Sequence, residues 1–466
     1  MQWADKLRSF LNEEHPHPEG LQPIADDEVL PAKWSLEPAF AAAPASKGTL
    51  LEQETAVGEL PPVEPLSLPE GWTATLSEKK RLTPKTHWQD VQLVSFDIPS
   101  QSDGTKLCCV PGDCLTIYPK NFPSDVQRLL TAMEWTSIAD QPLDLSLCPS
   151  LPRGLHTLSD STTTTLRSLL LHNIDFTAVP RRSFLKNMSY FSDDQYHKDR
   201  LLEFTMTDYL DEYFDYATRS RRSIIEVLEE FHSVKIPAHR LLDIFPLIRG
   251  RDFSVANGGS RQDHPSKPDT TRIELLIAMV RYKTVLRKPR QGLCSRYLAS
   301  VPEGSTLHVT HKQVLTPIHG SSNAQRPLIA MATGTGLAPV RALIHERLTH
   351  PSPGPMTLFF GNRNRSADYL FENEWPTLDH VVVHTAFSRD QREKIYVQDL
   401  IRKEASLVAE VIEQRGIFAV CGGSSKMAES CKRAVFDPYS EAGADDVQVE
   451  ARKKRLEGTT WWQEIW

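Results

Sequence analysis

The residues best suited to chemistry sit in four short loops of the C-terminal third. Thr333-Gly334-Thr335-Gly336 follows the apolar run Leu328-Ile329-Ala330-Met331-Ala332. Two residues without a Cβ let the backbone turn sharply and approach a ligand closely. Leu337-Ala338-Pro339 then opens a helix, where the missing N–H of Pro339 costs nothing. The free N–H groups at such a helix start suit an anion, a phosphate above all. A purely structural turn accounts for the same residues equally well. Gly361-Asn362-Arg363, Phe387-Ser388-Arg389 and Cys421-Gly422-Gly423 each follow another apolar run. Ser388, Arg389 and Lys394 lie together, with Tyr396 close behind. Arg and Lys fix phosphate through charge-assisted bonds, Arg in bidentate geometry, and a tyrosine offers a stacking face. Beside the glycine turn, this set suits a 2′-phosphorylated adenosine, hence NADPH rather than NADH. The plainer alternative is an exposed basic loop next to Asp390 and Glu393.

Three further stretches carry chemistry. Arg251-Asp252-Phe253-Ser254 precedes the small polar run Asn257-Gly258-Gly259-Ser260. Gly292-Leu293-Cys294-Ser295 opens a helix, either as a second pyrophosphate site or with Ser295 as a simple N-cap. The chain ends Trp461-Trp462-Gln463-Glu464-Ile465-Trp466. Its final indole is an exposed end, a hydrophobic tuck, or a flat lid over a flavin ring. His15 and His17 lie between prolines in a stretch of linker composition, where solvation outweighs metal binding.

These loops need elements to hold them. After Gln325, apolar strands at 328–332, 356–360, 380–386 and 416–420 alternate with helices near 367–375, 397–413 and 426–436. Such alternation implies a doubly wound parallel sheet, whose ligands bind at the carboxyl ends of the strands. The four loops lie there. From Gly71, strand patterns at 91–98, 109–119, 252–256, 273–282 and 306–309 surround a helical block at 166–245. A helix is expected at 125–133 and a polar loop insertion at 142–165. Residues 1–14 pattern as an amphipathic helix with Trp3, Leu7, Phe10 and Leu11 on one face; residues 15–70, rich in Pro, Ala and Glu, pattern as linker.

The bulk properties narrow the class. The chain has 466 residues, room for two or three domains, with net charge −7 and pI about 6.2. Nothing in that balance favours nucleic acid. Seven cysteines, without a CxxC pair, argue for a reducing compartment over a disulfide framework or zinc ribbon. No run of about 18 apolar residues and no signal-peptide pattern occurs. A cytoplasmic protein without a resident metal, membrane segment or nucleic-acid partner is expected.

From about Gly71 to Trp466 the chain resembles the reductase module of NADPH-dependent diflavin enzymes, itself similar to ferredoxin–NADP⁺ reductase. Pro111-Gly112-Asp113 through Asn121 looks like the family's PGD…YPxN strand, Arg251-Asp252-Phe253-Ser254 like RxYS, and Gly292-Leu293-Cys294-Ser295 like GxCT/S. Gly334-Thr335-Gly336-Leu337-Ala338-Pro339 matches GTGxAP. Ala386-Phe387-Ser388-Arg389-Asp390-Gln391, with Lys394-Ile395-Tyr396-Val397-Gln398, is similar to AFSRxQ…KxYVQ. Val420-Cys421-Gly422 looks like VCG, and Glu464-Ile465-Trp466 like an acidic-x-aromatic end. Pro180-Arg181-Arg182-Ser183-Phe184 most resembles the cytosolic branch that serves iron–sulfur cluster assembly.

The resemblance implies an antiparallel β-barrel FAD domain at 71–310 with the helical subdomain inserted, then an α/β doubly wound NADPH domain at 311–466. It implies that Arg251, Phe253, Ser254 and Tyr282, with Gly292, Leu293, Cys294 and Ser295, hold FAD. Gly334, Thr335, Arg363, Ser388, Arg389, Lys394, Tyr396 and Gln398 would hold NADPH. Trp466 would stack on the flavin and yield to nicotinamide, with Ser254, Cys421 and Glu464 around the hydride path. Phe253 replaces the family's usual Tyr, so one hydroxyl hydrogen bond is lost. No flavodoxin pattern precedes the linker, and the helix at 1–14 is expected to be the remnant of that FMN-binding domain. The expected partners are a flavodoxin-type domain, in cis or trans, and an anamorsin-like iron–sulfur acceptor. A reductase for a haem protein or sulfite reductase, or a non-catalytic scaffold, are the alternatives.

Overall fold

Six strands form an antiparallel sheet: β1 (Trp72–Arg81), β2 (Asp90–Pro99), β3 (Cys114–Ile117), β4 (Arg251–Ser254), β5 (Thr270–Met279) and β6 (Thr306–Lys312), in the order β4-β3-β6-β1-β2-β5. The computed structural model describes residues 2–15, 28–42, 60–61, 71–148, 150–152, 155, 164–284, 289–440 and 458–466. Much of the expected linker, with His17, and part of the 142–165 insertion lie outside the described residues. The two outer strands of the sheet approach each other. Val255 bridges Leu275, and Ala256 N donates to Glu274 O at 2.7 Å. Leu76, Phe96, Ile98, Leu115, Ile117 and Leu275 fill the interior. On the reverse face of β2 and β5, Val91 and Leu276 join a second core shared with the C-terminal half. Those two strands are therefore apolar on both faces.

The turn before β3 is fixed by Asp113. It accepts from Val110 N at 3.0 Å, Val314 N at 2.8 Å and pairs with His311 Nε2 at 2.8 Å. Burial would raise its carboxyl, but the His311 bond and the two backbone donors outweigh it and hold it below the usual range.

Between β3 and β4 the chain is helical, with helices including Leu166–His172, Arg182–Tyr190, Gln195–Glu203 and Ile224–Glu230. They enclose their own core around Leu169, Phe176, Leu185, Leu228 and Phe245. Ser223 and Glu226 form a capping box that starts the helix at Ile224. A stretch expected to be linker packs on this core. Leu36 and Ala39 are fully buried, Leu36 N donates to His239 O, and Arg240 Nη1 donates to Leu30 O at 2.9 Å. The apolar spacing of Trp34, Leu36, Ala39 and Phe40 was masked by the proline-rich composition around it. The helix Gln2–Glu14 forms, and its Trp3, Phe10 and Leu11 are exposed.

The C-terminal half is a five-stranded parallel sheet: β7 (Leu328–Thr333), β8 (Met356–Asn362), β9 (Val381–Phe387), β10 (Ile417–Gly422) and β11 (Thr460–Ile465), ordered β9-β8-β7-β10-β11. Helices cover both faces. Ile329, Phe359 and Val420 pack toward helices Val397–Lys403, Ala405–Glu413 and Ser425–Ser440. Leu328, Ala330, Leu358 and Ala419 pack toward the helix Leu337–Arg347 and the antiparallel sheet. Three expectations change. The helix expected at 367–375 is only Arg365–Asp368: Tyr369 already leaves the helical region at ψ 82°, and Phe371 follows at φ 57°; Trp375–Thr377 is a 3₁₀ turn. The helix expected at 397–413 breaks at Glu404. The C-terminal tail is the edge strand β11. Among the described residues, no helix is long and apolar enough to cross a membrane.

Candidate active site

The carboxyl ends of β4, β10 and β11 converge where the two sheets meet. Ser254 Oγ donates to Glu464 Oε1 across 210 residues of sequence. Glu464 lies opposite Cys421 in the β10–β11 register, and Trp466 N donates to Gly422 O at 3.4 Å. Ser254, Cys421, Glu464 and Trp466 thus share one locus. A Cβ on Gly336 would stand 2.2 Å from Cys421 O, so only glycine lets the turn after β7 lie against this strand end.

The electrostatics are those of a dry pocket. Burial raises the Glu464 carboxyl above its usual range, against the Ser254 bond. Its Oε2 is buried and has no hydrogen-bond partner. Cys421 is fully buried; burial first, and then the Glu464 charge, push its thiol well up, so it is a neutral S–H at physiological pH. Cys114 Sγ stands 4.0 Å from Ser254 Oγ, with its thiol pushed up to about 11, mainly by burial. Nothing in the sequence singled out Cys114.

A cleft of about 610 Å³ runs along the strand ends and meets this locus at Trp466; Ser254, Cys421 and Glu464 are not in its wall. Thr333, Gly334, Thr335, Arg363, Ser388, Tyr396, Gln398 and Trp466 line it. So does Asn362 of the expected Gly361-Asn362-Arg363 loop, and so do Gln89, Ser424 and Lys426, which sequence reasoning missed. Lys426 had a signal: Gly422-Gly423-Ser424 before a helix repeats the arrangement at 334–339. Arg389 and Lys394 are exposed beside the cleft rather than in its wall. Arg389 N donates to Arg363 O at 2.9 Å. The Arg363 guanidinium lies 4.1 Å from the Trp88 ring centroid, a clamp supplied by the other sheet. Burial, and then the Arg389 charge, lower the pKa of Arg363. Among the described residues, Arg363, Arg389, Lys394 and Lys426 form no ion pair with a carboxylate. An unpaired cationic rim fits a polyphosphate ligand.

On the antiparallel side, Arg251 and Phe253 point to one face of β4 and Ser254 to the other. Phe253 packs on the sheet core. Arg251 lies 3.9 Å from Asp175, and its charge opposes the burial that pushes the Cys294 thiol up to about 12. Cys294 lies in the first turn of the helix Leu293–Ser300. Gly292 is the N-cap of that helix; Ser295 Oγ instead accepts from Val280 N at 3.0 Å, which rules out the simple Ser295 cap. Tyr282 is 40% exposed, on a short ribbon (Arg281–Lys283 with Pro289–Gln291) apart from the cleft wall. A glycine-led helix start, an exposed arginine and a partly exposed aromatic are groups that fit a flavin dinucleotide. Cys109, Asp113 and His311 also offer ligand atoms within 4.8 Å of one another. The Asp113 carboxylate there is already filled by two backbone donors and His311.

An antiparallel sheet joined to a parallel sheet with a cationic cleft at its strand ends is the arrangement of a flavin-dependent, nicotinamide-linked reductase. The FAD binding domain family matches residues 64–297, and the oxidoreductase NAD-binding domain family matches residues 330–433. Three relatives carry the name NADPH-dependent diflavin oxidoreductase 1. That of Gibberella zeae is 64% identical over 100% of this chain and 76% of its own length. That of Aspergillus fumigatus is 40% identical over 97% of this chain and 72% of its own, and that of Emericella nidulans 36% identical over 98% and 75%. The chain belongs to the NADPH-dependent diflavin oxidoreductase family, with FAD and NADPH as the cofactors of its two sheets.

Proposed function

We propose that this chain takes reducing equivalents from NADPH onto FAD. It then passes them, through FMN on a flavodoxin-type domain in cis or trans, to an anamorsin-like iron–sulfur protein of cytoplasmic cluster assembly. The observation that carries the reading is the meeting of Ser254 with Glu464, beside Cys421 and Trp466, at the mouth of a cationic cleft. Bound FAD supplies the conversion of a two-electron donor into single electrons, which side chains cannot perform.

The chain's own residues bind, orient and exclude water. Arg251 and the Gly292-Leu293-Cys294-Ser295 turn would neutralise the flavin pyrophosphate, while Phe253 and Tyr282 supply aromatic surface. The 71–310 unit would close as a barrel around this site, the helical block standing outside it. Gly334 and Thr335 would take the nicotinamide dinucleotide's pyrophosphate, and Arg363, Ser388, Arg389, Lys394, Tyr396 and Gln398 its phosphorylated adenosine. Ser254 holds one oxygen of Glu464, leaving Oε2 to accept from an amide donor such as the nicotinamide carboxamide. Cys421 keeps a proton on sulfur in the driest part of the site. Trp466, half exposed, covers the mouth and can move aside. The iron–sulfur acceptor is the finer part of the reading, and rests on the Pro180–Phe184 resemblance.

The test is direct. Purified protein reconstituted with FAD should be yellow and bleach anaerobically with NADPH. Protein that stays colourless, or binds flavin without bleaching, would refute the reading, the second result favouring a scaffold. With the flavodoxin domain supplied separately, faster reduction of the iron–sulfur protein than of cytochrome c supports the acceptor; the reverse order points to a haem partner.

A further inference from the structure

We propose that Arg341 is a positioning residue for hydride transfer: it locks the antiparallel sheet to the parallel sheet in the register that brings Ser254 to Glu464. The proposal rests on the reading of Ser254 and Glu464 given above.

Arg341 lies on the helix Leu337–Arg347, which begins at the glycine turn lining the cleft. It is 3% exposed. Its Nη1 donates to Ala256 O at 2.8 Å and to Glu274 Oε2 at 2.7 Å, both on the antiparallel side. Its Nε and Nη2 donate to Glu374 Oε1 and Oε2, each at 2.9 Å, on the parallel side. The guanidinium also lies 4.3 Å from the Phe371 ring centroid, and Glu374 is held from behind by His345 Nε2 at 2.7 Å.

Two features make this more than an internal ion pair. Ala256 is two residues past Ser254, so Arg341 grips the same short segment that presents the Ser254 hydroxyl. The contact is also close-fitting: a Cβ on Gly258 would stand 2.2 Å from Ala342 O, so the loop after Ala256 lies directly on the helix one residue beyond Arg341. One helix therefore shapes the nicotinamide cleft at its start and holds the flavin-side serine one turn later. A planar guanidinium meets both carboxylates and a carbonyl at fixed angles; a lysine ammonium cannot reach all three from one point. The His87–Asp368 contact at 2.7 Å is a second tie across the junction, without a link to the Ser254 segment.

The experiment compares wild type, Arg341→Met, Arg341→Lys and Glu274→Gln as FAD-loaded proteins. The measurements are NADP⁺ affinity by calorimetry, thermal unfolding, and the limiting rate of anaerobic flavin bleaching by NADPH. Arg341→Met should slow bleaching at least about tenfold, since misplacing reactants by about 1 Å costs on the order of 10²-fold. NADP⁺ affinity should stay within about twofold, because neither Arg341 nor Ala256, Glu274 or Glu374 lines the cleft. Arg341→Lys should fall between the two. A limiting rate unchanged in folded Arg341→Met, or affinity and rate lost in parallel, overturns the proposal. If Arg341→Met does not fold, Glu274→Gln decides. It weakens a contact that crosses between the sheets while keeping the Glu374 pair; a slower rate with intact affinity supports the role, whereas an unchanged rate overturns it. Failure of wild type to bleach would instead sink the functional reading itself.

Discussion

Replacing Arg389 with Ala isolates the phosphate-recognition claim, because the structure predicts opposite effects on ligand and fold. Arg389 is exposed, backbone-bonded to Arg363, and electrostatically opposed to it. It forms no ion pair among the described residues. Its removal should therefore leave thermal stability unchanged or slightly higher. A hydrogen bond to a charged group contributes about 1.5–3 kcal/mol net. At an exposed position the lower end applies, so about 1.5–2 kcal/mol is lost, or roughly 10–30-fold in Kd for NADP⁺. NAD⁺, which lacks the 2′-phosphate, should change by no more than about twofold. Calorimetric titration of NADP⁺ and NAD⁺ into wild type and variant measures both. The gap between the ligands should narrow with added salt, as screening shortens the reach of an exposed charge. Equal losses for the two nucleotides would refute the assignment, as would a fall in melting temperature that parallels the affinity loss.

Four other outcomes follow from the site and its supports. Ser254→Ala and Glu464→Gln should each retain flavin yet slow NADPH bleaching by about 10-fold or more, the range of a lost polar contact in a dry active site; wild-type rates would remove both from the hydride path. Because burial raises the folded Glu464 value, its contribution is most favourable below the ordinary glutamate range and is lost as pH rises through the folded value. Glu464→Gln should thus gain stability relative to wild type with rising pH, which melting curves across pH will read. Glu374 behaves in the opposite sense. Burial would raise it, but the His345 and Arg341 bonds bring it down to about 2. Its contribution is full above the ordinary range near 4.3 and lost as pH falls toward 2, so acid unfolding of Glu374→Gln should depend less on pH. Leu36→Ala should cost about 2–5 kcal/mol in denaturant unfolding, since Leu36 is fully buried in the helical core; a neutral result would mean that segment 28–42 is not docked.

Strands β7, β8 and β10 were plain as uninterrupted apolar runs, because a parallel strand buried on both faces needs no polar positions. Strand β11 was not, since Thr460-Trp461-Trp462-Gln463-Glu464-Ile465 mixes polar and aromatic residues as an edge strand does. The helix expected at 367–375 ends at Asp368, because Tyr369 and then the left-handed Phe371 leave the helical region, which no periodicity reveals. Segment 28–42 read as linker because composition averages over the few residues, Leu36 and Ala39, that actually enter a core.

Local chemistry by itself determined the glycine turn at Gly334–Gly336, the basic loop around Arg389 and the apolar strands that precede them. Turn geometry, charge and side-chain period are set within a few residues. Only the tertiary structure decided that Ser254 meets Glu464, that Trp88 covers Arg363, that Lys426 joins the cleft wall and that Arg341 spans two sheets. Each of those contacts joins distant segments. Their partners are selected by packing, strand order and the exclusion of water, none of which a short stretch of sequence contains.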